Sequence, residues 1–223
     1  MAAAPGHLAD DPLNLPPDDG APLPFRQAVE ALRLAPLPAG VRLDVTGAPR
    51  RLAPYAHALE ATVVVDASPD APEEELADGR LVLLHDPQGH DAWHGTFRLV
   101  TLVRADLEPE MAADPLLPEV CWSWLTGALD TRGVTYREPS GTVTRSSSYH
   151  FGGMAGRPAS TRMEIRASWT PNEPPTALGA HLTAWCELLR QCAGLPPAPL
   201  PFPGPSGGAV VALPQRREPR ARR

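Results

Sequence analysis

The stretch GTFRLVTLVRADL, residues 95–107, alternates between apolar and polar positions and predicts a β-strand. One face of that strand carries the apolar residues Phe97, Leu99, Val103, Ala105 and Leu107. Val100 and Leu102 fall on the opposite face, so the centre of the strand is apolar on both faces. Strands of this composition are buried from two sides. The stretch therefore predicts a central strand of a sheet with cover on each face.

Five more strands are predicted around this one. Three precede it, with the sequences VRLDV (41–45), YAHALEATVVVD (55–66) and RLVLLHD (80–86). Two follow it: VTYREPSGTVTRSSSYHF (134–151), bent at residues 139–141, and TRMEIRASW (161–169), with Met163, Ile165, Ala167 and Trp169 facing inward. The acidic run DASPDAPEEELADG (66–79) predicts a solvated loop between two of these strands.

Helices are predicted at three places. The first is amphipathic, in PFRQAVEALRLA (24–35). Asp114 and Pro115 favour the start of the second. Its predicted buried stripe is Leu117, Cys121, Trp124 and Ala128, widened by Val120 and Leu125. The third lies in PPTALGAHLTAWCELLRQCAG (174–194), where His181 is expected to pack on Trp185 at the flank of the apolar stripe.

The element order predicts an α+β fold. It is α-β-β-β-β-α-β-β-α, which lacks the βαβ alternation of parallel sheets, so we expect an antiparallel sheet of about six strands packed by three helices. The order is similar to the chaperone-like topology of small type III secretion chaperones. Fold alone does not imply function.

Composition divides the chain into one domain and two tails. Residues 1–22 are rich in Ala, Pro and Asp, and residues 196–223 are rich in Pro and Gly and then in Arg, so both ends are expected to be disordered. Residues 23–195 are predicted to form a single domain. Neither a signal peptide nor a run of about 18 apolar residues is present, so a cytoplasmic protein without a membrane anchor is expected.

Charge argues against a nucleic-acid-binding body. The chain has a net charge of −6, yet residues 216–223 contain five arginines and one glutamate, which leaves −10 for residues 1–215. An acidic body repels phosphate. Weak nucleic-acid binding is therefore expected only through the arginine-rich tail.

One group of residues suggests a competing enzymatic function. Asp106, Glu108, Glu110 and His85 could form a metal-dependent or acid/base hydrolase within residues 85–119, if they converge. The nearby HDPQGHDAWH (85–94) lacks metal-ligand spacing and favours a hairpin. The cysteines, Cys121, Cys186 and Cys192, form no CxxC and are expected to be buried thiols. The sequence predicts no bound metal and no cofactor, and it does not favour an enzyme.

Long strings of the sequence resemble one family. RLAPYAHALEATVVVD, DGRLVLLHDPQGHDAWHGTFRLVTLVRADLEPEMAADPLLPEVCWSWLTGAL, EPSGTVTRSSSYHFGG and the segment from EIRASWTP to HLTAWCELLRQCAGLPP are similar to the actinobacterial family called domain of unknown function 3000. The resemblance spans about residues 24–197. It implies no activity, cofactor or catalytic residue.

The favoured hypothesis is a non-catalytic, chaperone-like module that binds a protein partner. A polar strand followed by a glycine-rich loop, without a complete catalytic motif, points to an exposed sheet face or edge near residues 141–151. The predicted binding residues are Arg145, Tyr149, Arg157, Arg162 and Arg166. A homo-oligomer remains an alternative.

Overall fold

The computed structural model describes residues 20–65 and 74–196 of the chain. The predictions for residues 1–19, for the acidic residues 66–73 and for residues 197–223, which include the arginine-rich tail, lie outside the described residues. Within them, no helix has the length and apolarity needed to cross a bilayer.

The elements follow the predicted order with one short helix added. The helices are α1 (Leu23–Arg33), α2 (Pro109–Ala113), α3 (Leu117–Thr131) and α4 (Gly179–Cys192). The strands are β1 (Val41–Thr46), β2 (Tyr55–Val65), β3 (Glu74–His90), β4 (Gly95–Leu107), β5 (Tyr136–Ser148) and β6 (Ser160–Pro171). They form one antiparallel sheet in the order β1-β2-β3-β4-β6-β5. This confirms the α+β class and the inner position of β4.

One face of the sheet is packed by α1, α3 and α4. The alternating residues of β4 and β6 that were expected to face inward, including Leu99 and Ile165, are buried in that core, except for the half-buried Leu107 at the end of β4. Gly79 of β3 makes room for α4, because a Cβ atom there would lie 2.9 Å from the ring of Trp185 and 2.8 Å from Leu189. The core therefore lies between the sheet and a single layer of helices.

The buried stripe of α3 is rotated from the predicted one. Leu117, Cys121, Leu125 and Leu129 are buried at a spacing of four residues. Trp124 is only half-buried at the margin of the core, so its prediction as a core anchor is corrected. The cause is geometric: successive side chains on a helix are about 100° apart, and Leu125 rather than Trp124 continues the line from Cys121.

The second face of the sheet, which we call the open face, is not covered by helices in the described residues. A small apolar cluster at Ala58, Val82 and Leu84 packs against the β1–β2 connection and Trp93. Val100 and Leu102 on the same face are only half-buried. The expected cover on both faces of β4 is therefore wrong for its centre, where apolar side chains remain accessible.

A buried hydrogen-bonded chain links β6 to α4. His181 is fully buried: its Nδ1 accepts a hydrogen bond from Trp169 Nε1 at 3.1 Å, and its Nε2 donates to Glu173 Oε2 at 2.8 Å. Glu173 Oε1 also accepts bonds from the backbone N–H and the hydroxyl of Thr135. The expectation that His181 packs on Trp185 at the boundary of the core is thus corrected. His181 is buried in the core, and because its Nδ1 accepts a hydrogen bond, that nitrogen carries no proton and the ring is neutral.

Candidate functional site

His85, one member of the alternative hydrolase set, lies in the core rather than at a surface site. Its ring stacks on Phe97 with centroids 4.1 Å apart, and Nδ1 lies 2.9 Å from the carbonyl oxygen of Thr96. Burial lowers its pKa, partly offset by the bond to Thr96 and by nearby Asp86. A neutral ring packed among aromatic side chains stabilises the fold.

The carboxylates of that set are not brought to His85. His85 pairs with Phe97 across the ladder, and Asp106 lies nine residues further along β4, about 30 Å away at the usual rise of a strand. Asp106 points to the open face and is ion-paired with Arg162 at 2.9 Å. Glu108 and Glu110 are exposed at the start of α2. No group of three or more metal-ligating side chains forms among the described residues.

The arginines predicted to bind a partner have three different environments. Arg145 holds the connection between α2 and α3, because its Nη1 donates to the carbonyl oxygens of Ala112 at 2.7 Å and Asp114 at 3.1 Å. Arg162 and Arg166 lie on the open face of β6, where Arg166 Nε is 2.7 Å from Glu164 Oε1. Arg157 is exposed in the connection between β5 and β6.

Large exposed apolar side chains are concentrated in the β5–β6 connection and around α2. The described residues contain ten such side chains, and six of them lie in two segments. Tyr149, Phe151 and Met154 belong to the β5–β6 connection, and Met111, Leu116 and Val120 to α2 and the start of α3. Phe151 is 79% exposed and Tyr149 is 69% exposed. We call these six residues the apolar tip.

The two segments of the apolar tip project from the same end of the sheet. Leu107 at the end of β4 pairs with Thr161 at the start of β6, and Thr161 pairs with Ser147 at the end of β5. The chain leaves this end of the sheet towards α2 and towards the β5–β6 connection. The bonds from Arg145 to Ala112 and Asp114 tie the end of β5, four residues before Tyr149, to the α2 segment.

β5 forms one edge of the sheet beside the apolar tip. It is 13 residues long, almost wholly exposed, and among the described strands only β6 pairs with it. Its register shifts between Arg137 and Ser140, which confirms the predicted bend, and from Ser140 to Ser148 the pairing is continuous. That length of unpaired edge can accept another extended segment.

Arg98 fixes the other end of β5 to the sheet. It is 6% exposed, and it donates from Nη1 to Thr170 Oγ1 at 2.9 Å and from Nη2 to Ser168 Oγ at 2.8 Å and the carbonyl oxygen of Glu138 at 2.9 Å. Glu138 lies in the register shift with a φ of 50°, a strained value for a residue other than glycine. The buried guanidinium therefore holds a strained bend in place and fixes the path of β5.

The three cysteine thiols are expected to be unreactive in the folded chain. Burial raises the pKa of Cys121 to about 11 and that of Cys186 to about 12. It also raises the pKa of Cys192. A thiol that stays protonated is a poor nucleophile and a poor metal ligand, so these residues act as core side chains.

Of the six residues of the apolar tip, only Tyr149 was among the binding residues predicted from the sequence. Phe151 and Met154 stand in a glycine-rich connection, FGGMAG, that can bury neither. Met154 lies inside the segment expected to be a loop, and Phe151 ends the predicted polar strand beside it, so large apolar residues next to or within a loop are the signal that could have identified them. Leu116 gives no such signal, because it adjoins the buried Leu117 in an apolar run.

A family model described as "Protein of unknown function (DUF3000)" matches residues 21–201 of the chain. The comparisons with curated proteins and with solved structures found no match. The matched range includes every described element, from α1 to α4, and also the apolar tip and the β5 edge. The chain therefore belongs to the DUF3000 family, a family of proteins of unknown function.

Proposed function

We propose that the chain is a non-catalytic protein-binding module whose partner docks on the apolar tip and the adjoining edge of β5. The observation that carries this proposal is the placement of six of the ten large exposed apolar side chains of the described residues at one end of the sheet. Apolar patches of this kind are costly to leave in water, and on a folded domain they mark interaction surfaces.

The residue types at the tip support a protein partner. Aromatic residues, methionine and arginine are enriched in protein interfaces, and Tyr149, Phe151, Met154 and Arg157 supply all of these within nine residues. Large side chains of this type contribute most of the binding free energy when a partner buries them. Phe151, the most exposed of them, is expected to be the main anchor.

The edge of β5 supports an extended segment as the part of the partner that binds. A strand added beside residues 140–148 would pair with backbone groups that no other described strand uses. The side chains of Thr142, Thr144 and Ser146 alternate on the open face and are small and polar, so they would not obstruct an added strand. Backbone pairing would then supply affinity, and Phe151 would supply specificity.

The test is photocrosslinking from a benzophenone amino acid placed at residue 151 of the full chain in its host cells. The matched control places the same group at residue 52, since Leu52 is 56% exposed and lies in the β1–β2 connection at the opposite end of the sheet. We expect one defined partner at residue 151 and none at residue 52. Equal labelling at both positions, or a crosslink only between two copies of the chain, would contradict the proposal.

A second measurement uses the crosslinked segment as a synthetic peptide with the purified chain. Phe151→Ser should weaken peptide binding at least about tenfold in fluorescence anisotropy, whereas Leu52→Ser should leave it unchanged. Alternate amides of residues 140–148 should become protected from hydrogen exchange in the complex. Weakened binding without this protection would place the peptide on the tip alone and refute strand addition.

A further inference from the structure

The open face of the sheet carries a groove of about 420 Å³ that is separate from the apolar tip. The strand register arranges its main side chains in two rows that cross β3, β4, β6 and β5. One row consists of Val82, Val100, Ser168 and Ser140, and the other of Arg80, Leu102, Arg166 and Thr142. Three inter-strand spacings make each row about 14 Å long. The groove is open to solvent along its length, so a bound molecule would lie along it and not inside an enclosed cavity.

The two ends of the groove differ in chemistry. Val82, Val100 and Leu102 form an apolar floor over β3 and β4, where the described residues provide no second layer of cover. Over β6 and β5 the lining consists mainly of hydroxyl groups beside the guanidinium of Arg166. Arg80 stands at the opposite margin, on β3. Among the described residues, the lining contains two arginines and no carboxylate.

The lack of carboxylates is local to the groove. In the next row across the sheet, charges alternate: Arg104 Nη1 is 3.7 Å from Asp78 Oδ2, and Arg104 Nε is 3.2 Å from Glu164 Oε2. One row further, Arg162 pairs with Asp106. These rows neutralise themselves, and a ligand would gain little from them.

The groove arginines are partly paired with carboxylates outside the lining. Arg80 Nη1 lies 3.7 Å from Glu60 Oε1, and its Nη2 donates to the carbonyl oxygen of Gly47. Arg166 pairs with Glu164 through Nε while its side chain stays 67% exposed. An exposed ion pair of this kind contributes little, so an incoming carboxylate can replace it at small cost.

We propose that this groove binds a small apolar carboxylate. Its carboxylate group would accept hydrogen bonds from Arg166 and from the hydroxyls of Thr142 and Ser168, because paired charged donors recognise carboxylates most strongly. Its hydrocarbon would lie over Leu102, Val100 and Val82. The distance from β6 across β4 to β3 is two inter-strand spacings, about 10 Å, which sets the length of the hydrocarbon.

The test is a titration of the full chain, with methyl groups isotopically labelled for NMR, using octanoate as the probe and 1-octanol as its uncharged counterpart. We expect octanoate to shift the methyl signals of Val82, Val100 and Leu102, and octanol to bind at least about tenfold more weakly. Arg166→Gln should weaken the binding of octanoate about tenfold and leave the binding of octanol unchanged. Arg80→Gln should have a smaller effect, because it lies at the hydrocarbon end.

Arg162→Gln is the matched control. It removes an arginine from the same strand and the same face, two rows outside the groove, and should leave octanoate binding unchanged. Thermal melts check that each variant is folded. Equal binding of octanol and octanoate, an unaffected Arg166→Gln variant, or no shift of the groove methyls would overturn the proposal. Phe151→Ser should not change octanoate binding, so failure at the groove and failure of the protein-docking function are distinguishable.

Discussion

Glu173→Gln should remove a large, pH-dependent part of the stability. Although burial raises the pKa of Glu173, hydrogen bonds from Thr135 and His181 lower it to about 2, from an ordinary value of 4.5. That difference corresponds to about 3 kcal/mol at pH 7. A glutamine amide cannot replace the carboxylate. It has one oxygen acceptor and one NH₂ group, so the NH₂ group would face the hydrogen-bond donors of either Thr135 or His181.

The direction of the pH dependence follows from the lowered pKa. The stabilisation by Glu173 is complete above about pH 4.5, where the unfolded chain also ionises, and is lost as the pH falls towards 2. His181 acts in the same direction, since burial foremost lowers its pKa, although Glu173 raises it. The unfolded chain takes up that proton below about pH 6.5, while the folded ring resists it.

The assay is urea unfolding followed by tryptophan fluorescence, at several pH values between 7 and 3. The free energy of unfolding of the parent should exceed that of Glu173→Gln by about 3 kcal/mol at pH 7 and by about half that at pH 3. Glu119→Gln, which changes an exposed carboxylate on α3, serves as the control and should stay within about 0.5 kcal/mol of the parent. A gap between parent and Glu173→Gln that is the same at every pH would refute the reasoning.

Two further predictions concern glycines and thiols. Gly141→Ala should destabilise the domain by about 3 kcal/mol in urea unfolding, because the added Cβ would lie 2.3 Å from the carbonyl oxygen of Arg166 and 2.9 Å from the ring of Trp122. Gly127→Ala, in the open on α3, should instead stabilise it by about 1 kcal/mol, and equal effects at the two sites would contradict this account. Cys121, Cys186 and Cys192 should all fail to react with a disulfide reagent at pH 8 in the folded chain and react in denaturant; a fast native reaction at any of them would show that its burial is wrong.

The sequence predicted those strands whose side chains alternate in size and polarity. In β6 the alternation of Met163, Ile165 and Trp169 with arginines and glutamate is complete, and every inward residue is buried. The start of β3 was missed, because residues 74–79 were taken for part of an acidic loop although β3 begins at Glu74. Its inward residues there are Ala77 and Gly79, which are too small to produce an apolar signal.

The surfaces were less predictable than the elements. Tyr149 was chosen because it lies in the predicted polar strand, but the exposure of Phe151 depends on where the β5–β6 connection projects from the sheet. The groove depends on the register between β4 and β6, which brings Leu102 beside Arg166. The sequence of neither strand specifies which residue of β4 pairs with which residue of β6, so this register is known only from the folded sheet.

The order of strands also has a consequence for the route by which the chain folds. β1 to β4 form a meander in which each strand pairs with its neighbour in sequence, and β5 and β6 form a separate hairpin. The β4–β6 ladder joins the two, and its pairs, from Leu107 with Thr161 to Leu99 with Trp169, close loops of roughly 50 to 70 residues. Non-local pairing of this kind slows folding. We expect the meander and the hairpin to form early and their docking along β4 to limit the folding rate. Until the β4–β6 ladder forms, the edge of β4 is exposed and prone to aggregation.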